Sequence, residues 1–163
     1  MRIPSECRTW LLLPVVLATT ACGTQTPTKT MTIDTVVANI DALNGQTVRV
    51  FGYLPECEPM SCGLYRNKAE ADQIGRSMKA MRVALDAGAD DVSGIRMPLH
   101  PSLAIGEGPP WAFFDLRARL TAGHYAILTG KISNKCRSNG KPVCLDRATD
   151  LEPIAIQQAA APL

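Results

Sequence analysis

The chain has 163 residues, a formal net charge of +2 at pH 7 and a hydrophobic fraction of 46%. This near-neutral charge excludes general electrostatic steering toward nucleic acid or an anionic membrane surface. Only 5% of the residues are aromatic, which disfavours the base-stacking surfaces that bind single-stranded nucleic acid. The length and the hydrophobic content are those of a single domain with its own core.

Residues 1–22 have the character of an export signal. Arg2 and Arg8 make the start of the chain basic, residues 10–18 form a short apolar run, and small residues precede Cys22. A helix needs about 20 apolar residues to span a bilayer, so a run this short is not expected to remain as a membrane anchor. We therefore predict that residues 1–21 are a signal peptide and that the protein is exported.

The five residues that end at Cys22 resemble the lipobox of bacterial lipoproteins. They read Ala18-Thr19-Thr20-Ala21-Cys22. The resemblance implies that a lipid such as palmitate is attached to Cys22, which would anchor the protein in a membrane of the bacterial cell envelope, facing the periplasm. Gly23 is not acidic, and this favours the outer membrane. Thr19 stands where lipoproteins usually carry Leu, so an ordinary cleavage site after Ala21 is the alternative.

Four cysteines remain once the signal peptide and the lipidated cysteine are set aside. An even number of cysteines in an exported chain favours disulfides. We predict two local bonds, because each pair is close in sequence and spans turn-forming residues: Cys57 with Cys62, and Cys136 with Cys144. Spacing alone leaves three connectivities open, including one that joins Cys57 to Cys136. A zinc site is disfavoured because neither pair has the tight spacing of structural zinc ligands, and no metal or cofactor is predicted.

Two stretches, residues 45–52 and 123–130, repeat one pattern. Each begins and ends with glycine and places apolar residues at the third and fifth positions after the first glycine. Period-two apolar placement indicates β-strands, which we predict over residues 47–54 and 125–132. Further strands are predicted at residues 64–66, 102–105 and 151–156.

Helices are predicted around these strands. Residues 33–43 have helical apolar spacing, with Thr32 as the expected N-cap. Residues 68–88 form an amphipathic helix, interpreted as an insertion whose apolar stripe contacts the core. That stripe consists of Ile74, Met78, Met81 and Leu85. The alternative is that its methionines form an adaptable binding stripe. A short helix follows near residues 113–120, where the apolar residues at helical spacing are Phe113, Leu116 and Leu120.

The order of strand, strand, strand, short helix, strand, strand resembles the OB-fold. The resemblance implies a fold that is mainly β with helical additions, namely a small five-stranded, partly open barrel with an inserted amphipathic helix. The OB-like domain is predicted to cover residues 33–156. Residues 22–32, which are polar and rich in threonine, are predicted to be a flexible tether, and residues 157–163 a frayed tail.

OB-folds bind ligands between the loops that follow their first and fourth strands. In this chain those loops carry the two cysteine pairs, and the adjacent twin strands are expected to place Cys57 and Cys136 at one end of the barrel. The resemblance therefore implies a groove with Tyr53 and Tyr65 on its floor and basic residues on its rim. The predicted rim residues are Lys135, Arg137, Lys141 and Arg147. The alternative is that the disulfides only stabilise exposed loops whose basic residues are solvated.

No recognisable catalytic motif is present in the sequence. His100 and His124 lie outside nucleophile and metal motifs, and Asp146 with Arg147 is interpreted as a structural ion pair. We predict a non-catalytic domain that binds an envelope protein or a polyanionic ligand, and no nucleic acid. The alternatives are a structural envelope component without a ligand site, or a hydrolytic enzyme that uses His124 or Asp146.

Overall fold

The computed structural model describes residues 29–57, 62–107, 114–138, 141–142 and 149–162. Its strands are β1 (Thr30–Thr32), β2 (Thr47–Leu54), β3 (Gly63–Tyr65), β4 (Ser102–Ala104), β5 (His124–Ile132), β6 (Arg137–Ser138), β7 (Lys141–Pro142) and β8 (Leu151–Ala159). Its helices are α1 (Ile33–Ala38), α2 (Ile40–Leu43), α3 (Lys68–Asp86) and α4 (Phe114–Thr121). Among the described residues, no helix combines the length and the apolar character needed to cross a membrane.

Six strands form one sheet in the order β4-β3-β2-β5-β8, and β1 adds to β2. All pairings are antiparallel except that of β1 with β2. The predicted fold was mainly β with helical additions. The structure is compatible with it, since a six-stranded sheet is combined with helices, although strand and helix contents are roughly equal. The sheet does not close into a continuous barrel. Its outer strands β4 and β8 are linked by a single parallel bridge, between Ile105 and Leu151.

The sheet extends beyond its predicted limits at both ends. Residues 30–32, predicted as the end of a tether, form β1, and residues 157–159, predicted as frayed, belong to β8. Strand β2 pairs with β3 only at Tyr53, so its edge at residues 49–51 is open and β1 pairs there. At the other end, Tyr125 of β5 pairs with Ala159, so β8 continues as far as this residue.

The glycines of the twin strands have two different structural roles. Gly45 and Gly123 each have φ of +80°, a left-handed conformation that favours glycine where the chain turns into the strand. Gly52 and Gly130 lie inside the strands at crowded positions. A Cβ atom at Gly52 would lie 2.8 Å from the carbonyl oxygen of Tyr65. The repeated pattern therefore reflects two equivalent turns and two equivalent close approaches.

The core lies on one face of the sheet and is covered by helices α1, α2 and α4. Its fully buried members include residues from β2, β5 and β8 as well as Ile33, Val36 and Ile40. Helix α4 contributes Phe114 and Ala118, whereas Leu116 and Leu120 are 57% and 72% exposed. The two leucines that indicated this helix therefore lie on its exposed side. Phe114, Ala118 and Thr121 lie four and three residues apart and form the buried face instead.

Helix α3 and the return segment of residues 87–101 form an arm, defined here as residues 68–101. Asn67 caps the helix, because its Oδ1 accepts a hydrogen bond from the Glu70 amide at 3.0 Å. Ala71 is the only buried residue of the helix, while Met78 and Leu85 are 46% and 53% exposed. The predicted core contact of the apolar stripe is therefore wrong for these two side chains. The one buried residue of the helix therefore lies near its start.

The return segment is held against the exposed helix by polar contacts. The Ser77 hydroxyl donates to the Arg96 carbonyl at 3.0 Å, and His100 Nε2 lies 2.6 Å from Gln73 Oε1. Glu70 lies 4.0 Å from His100, and the hydrogen bond from Arg66 lowers the pKa of this carboxyl. His100 therefore takes part in joining the two halves of the arm.

Replacing Leu85 by Ser is expected to lower the free energy of unfolding by less than about 1 kcal/mol, because the side chain is already half exposed. The matched control is Leu128→Ala in the core, which should cost about 2–5 kcal/mol. Urea unfolding of both variants measures the difference. A cost above about 2 kcal/mol for Leu85→Ser would mean that the stripe is covered in solution.

Candidate binding site at the end of strand β4

An ion pair between Arg137 and Asp150 lies beneath the candidate site. The two side chains are only 8% and 4% exposed. Arg137 Nε donates to Asp150 Oδ1 at 2.8 Å, and its Nη2 donates both to Asp150 Oδ2 and, at 2.7 Å, to the Ser102 carbonyl. This bidentate contact fixes the orientation of the guanidinium and neutralises its charge. The pair attaches the loop after β5 to strand β4.

Asp150 also joins strand β4 to the end of β5. Its Oδ2 accepts from the Ala104 amide at 2.9 Å, and its own amide donates to the Ala104 carbonyl at 2.9 Å. The Ser133 amide donates to the Asp150 carbonyl at 2.9 Å. One residue therefore fixes three segments that are distant in sequence, and the local backbone is held in place on every side.

The two cysteine-bearing loops both approach the end of strand β4. The Cys62 carbonyl accepts from the Ile105 amide at 2.8 Å, and the next amide, of Gly106, donates to the Leu151 carbonyl at 2.9 Å. Cys57 and Cys62 lie at disulfide-bonding distance, with Cα atoms 4.6 Å apart. This pairing excludes the alternative bond between Cys57 and Cys136.

The loops after β2 and β5 were predicted to leave the two strands at the same end, and this prediction is wrong. Strands β2 and β5 are indeed neighbours, but their register is antiparallel, from Thr47 opposite Lys131 to Leu54 opposite His124. The loop after β2 and the loop after β5 therefore leave this strand pair at opposite ends. They come near each other across β4 and β8, through the contacts of Ile105 and Gly106 described above.

A depression of about 330 Å³ lies where these segments meet. It is lined by Gly106, Glu107, Ser133, Lys135, Cys136, Thr149 and Glu152. A Cβ atom at Gly106 would lie 2.6 Å from Thr149 Cγ2, so a larger residue there would require the Thr149 side chain to move. Cys136 is disulfide-bonded. Its predicted partner, Cys144, lies outside the described residues.

Three charged side chains border the depression, and all three are exposed: Lys135, Glu107 and Glu152. Within the part of the chain that the structure describes, none of them forms an ion pair. Lys131 stands opposite Glu152 in the strand register, yet these two residues are not paired either. The depression therefore presents charges of both signs to solvent.

The predicted rim residues differ in their positions. Lys135 is exposed and lines the depression. Arg137 does not present a solvated charge to the rim, because its guanidinium is buried against Asp150. Lys141 lies in strand β7. Arg147 lies outside the described residues, as does Asp146, so the ion pair predicted between them is also outside the description.

The two predicted floor tyrosines also differ. Tyr53 is 6% exposed and packs edge-on against Tyr125, with ring centroids 5.5 Å apart, so it offers no accessible floor. Tyr65 is half-buried beside Gly63, and this burial raises the pKa of its hydroxyl. In the register Tyr65 stands opposite Ser102, whose carbonyl accepts from Arg137. Tyr65 therefore lies one strand away from the buried ion pair.

Neither histidine lines the depression. His100 belongs to the arm, and the ring of the exposed His124 lies 3.1 Å from the Ala122 carbonyl. Among the described residues, no three histidine, cysteine, aspartate or glutamate side chains cluster in a way that would hold a metal ion. The arrangement at the end of β4 offers charged groups for binding.

Asp150, Glu107 and Glu152 were missed in the sequence. Glu107 follows β4, Asp150 directly precedes β8 and Glu152 lies within β8, and none of them belongs to a spaced motif. The excess of basic residues between 131 and 147 was the one signal that pointed to this region. Comparisons with protein-family models, curated proteins and solved structures found no match to the chain. The site is therefore interpreted from its own geometry.

Proposed function

We propose that the chain is an exported bacterial envelope protein, anchored by lipid on Cys22, whose folded domain is a non-catalytic binding module. The apolar run of residues 10–18 and the lipobox-like residues 18–22 support export and lipidation. Strand β1 begins at Thr30, which leaves residues 23–29 as a connection between the lipid and the domain. At about 3.4 Å per residue this connection reaches about 25 Å, enough for the domain to stand clear of the membrane.

We also propose that the sheet is the curled sheet of an OB-like barrel. The strand order β4-β3-β2-β5-β8, with α4 between β4 and β5, supports this proposal. The parallel bridge between Ile105 and Leu151 brings the two outer strands together. In such a barrel the loops after β2 and β5 border one ligand-binding region.

The observation that carries the binding proposal is the depression at the end of β4, where three charged side chains form no ion pair with any described residue. The buried pair of Arg137 and Asp150 holds the surrounding backbone, so little conformational entropy remains to be lost on binding.

An envelope protein fits this site better than a polyanion does. Lys135 attracts an anionic group, but Glu107 and Glu152 border the same depression and repel one. A protein surface with both signs of charge can satisfy all three residues. We therefore favour the partner-protein form of the proposal.

Replacing Lys135 by Ser is expected to weaken capture of the partner about tenfold, which corresponds to about 1.4 kcal/mol. The measurement is quantitative pull-down from the envelope fraction of the producing cell. Lys79→Ser on the arm is the matched control, because Lys79 is an exposed lysine far along α3. If Lys135→Ser retains the same partners in the same amounts, the chain is better described as a structural envelope component.

The anchoring part of the proposal has its own test. The intact mass of protein purified from membranes should equal that of residues 22–163 with acyl groups on Cys22, and reduction should add the hydrogens of two disulfides. An unacylated chain that begins at Cys22 would instead identify an ordinary signal peptidase cut.

A further inference from the structure

We propose that the depression at the end of β4 binds a small zwitterion, a molecule that carries both an ammonium and a carboxylate group. A free amino acid and a short peptide with free termini share this chemistry. The inference rests on the proposed binding function and goes beyond it, because it adds a small ligand to the partner protein.

The first argument is the separation of opposite charges around one depression. Lys135 comes from the loop after β5, Glu107 from the segment after β4, and Glu152 from β8. No nitrogen of Lys135 lies within ion-pair distance of either carboxylate. The three charged residues therefore line one depression without pairing with one another, so a ligand bound there can meet charges of both signs.

The second argument is selectivity. A monoanion that approaches Lys135 meets two glutamates, and a monocation that approaches the glutamates meets Lys135, so each is penalised by like charge. A zwitterion places its carboxylate toward Lys135 and its ammonium toward Glu107 or Glu152. The depression therefore discriminates against molecules that carry only one of the two groups.

The third argument is size and rigidity. A volume of about 330 Å³ is at the lower end of the range of about 300–1,000 Å³ for small-molecule sites. Thr149 fills the space above Gly106, and Ser133 is buried with its amide held by Asp150. The space is therefore held by backbone contacts, and its volume is large enough for a small molecule.

The test is isothermal titration of the mature protein with L-alanine, D-alanine and the dipeptide Ala-Ala. N-acetylalanine and alanine amide are the matched ligands, since each lacks one of the two charges. We expect at least one zwitterion to bind, with affinity at least tenfold above that of both capped ligands. Preference for alanine or for Ala-Ala distinguishes a free amino acid from a peptide as the source of the chemistry.

Protein variants complete the test. Lys135→Met, Glu107→Gln and Glu152→Gln should each weaken zwitterion binding by about five- to tenfold, while Lys79→Met should leave it unchanged. Equal binding of the capped ligands, or no binding of any zwitterion, overturns the inference. If the zwitterions fail but Lys135→Ser still loses its envelope partner, the ligand class is wrong and the proposed binding function stands. If the partner is also unaffected, both fail.

Discussion

Replacing Asp150 by Asn is expected to lower the free energy of unfolding by about 3–5 kcal/mol. The substitution preserves the volume of the side chain but removes the carboxylate charge that the buried guanidinium of Arg137 contacts through two of its nitrogens. Arg137 is only 8% exposed and cannot regain water without breaking its bond to the Ser102 carbonyl. The loop after β5 should then detach from β4, and the depression should lose its shape together with the stability. Urea denaturation monitored by circular dichroism measures the loss.

Two further variants separate this explanation from a general sensitivity to charge removal. Asp72→Asn removes an exposed partner of Lys68 and should cost less than about 1 kcal/mol. The double variant Arg137→Met with Asp150→Leu removes both buried charges and should recover much of the loss, because the guanidinium and the carboxylate leave together. A cost below about 1 kcal/mol for Asp150→Asn would show that the pair is solvated in solution.

Replacing Gly130 by Ala is expected to lower the free energy of unfolding by about 3 kcal/mol, at the upper end of the range for overpacking. A Cβ atom at this position would lie 2.5 Å from the carbonyl oxygen of Glu152 and 2.9 Å from Leu151 Cδ1. The obstructing oxygen belongs to the backbone of β8 and cannot rotate away. The strands must therefore separate at the irregularity in their register between Thr129 and Gly130.

Gly75→Ala is the control for the Gly130 prediction, and its expected effect has the opposite sign. Gly75 lies within α3, and a Cβ atom there meets nothing within 4 Å. Alanine is favoured over glycine in a helix interior by about 1 kcal/mol, so this variant should be more stable than the parent protein. Thermal unfolding of both variants tests the pair of predictions. Equal effects of the two substitutions would contradict the proposed crowding at Gly130.

The main strands and the long helix could be predicted because their signals are local. Alternation of apolar residues marks β2 and β5 directly, and the spacing that begins at Ile74 marks α3. Strand β1 has only three residues and no pattern of its own, and it exists because the edge of β2 is open beside it. The long helix could therefore be predicted from the sequence. Strand β1 could not, because it depends on pairing with the free edge of β2.

The direction in which helices face depends on tertiary packing. Leu116 and Leu120 are the most apolar residues of α4, yet Phe114 and Ala118 occupy the core. In α3 the stripe extends beyond the sheet, so Met78 and Leu85 lack core residues to contact. Amphipathic spacing identified both helices correctly and gave no measure of how far the core reaches.

The candidate site was located by sequence only in part. The basic loop after β5 and Lys135 were identified, but the decisive pairing of Arg137 with Asp150 was not. Either residue could have found another partner, because the sequence does not contain the register that brings β4 beside β8. Glu107 and Glu152 belong to different segments for the same reason. Their convergence is a property of the fold.

Incorporation of a photo-crosslinking amino acid in place of Lys135, in the producing cell, tests the central claim most directly. If the depression is a binding site, irradiation should join this position to a partner in the envelope fraction. The same amino acid in place of Lys79, which is equally exposed on the arm, should give no such product. Absence of a crosslink at position 135, or an identical set of products at both positions, would contradict the binding site.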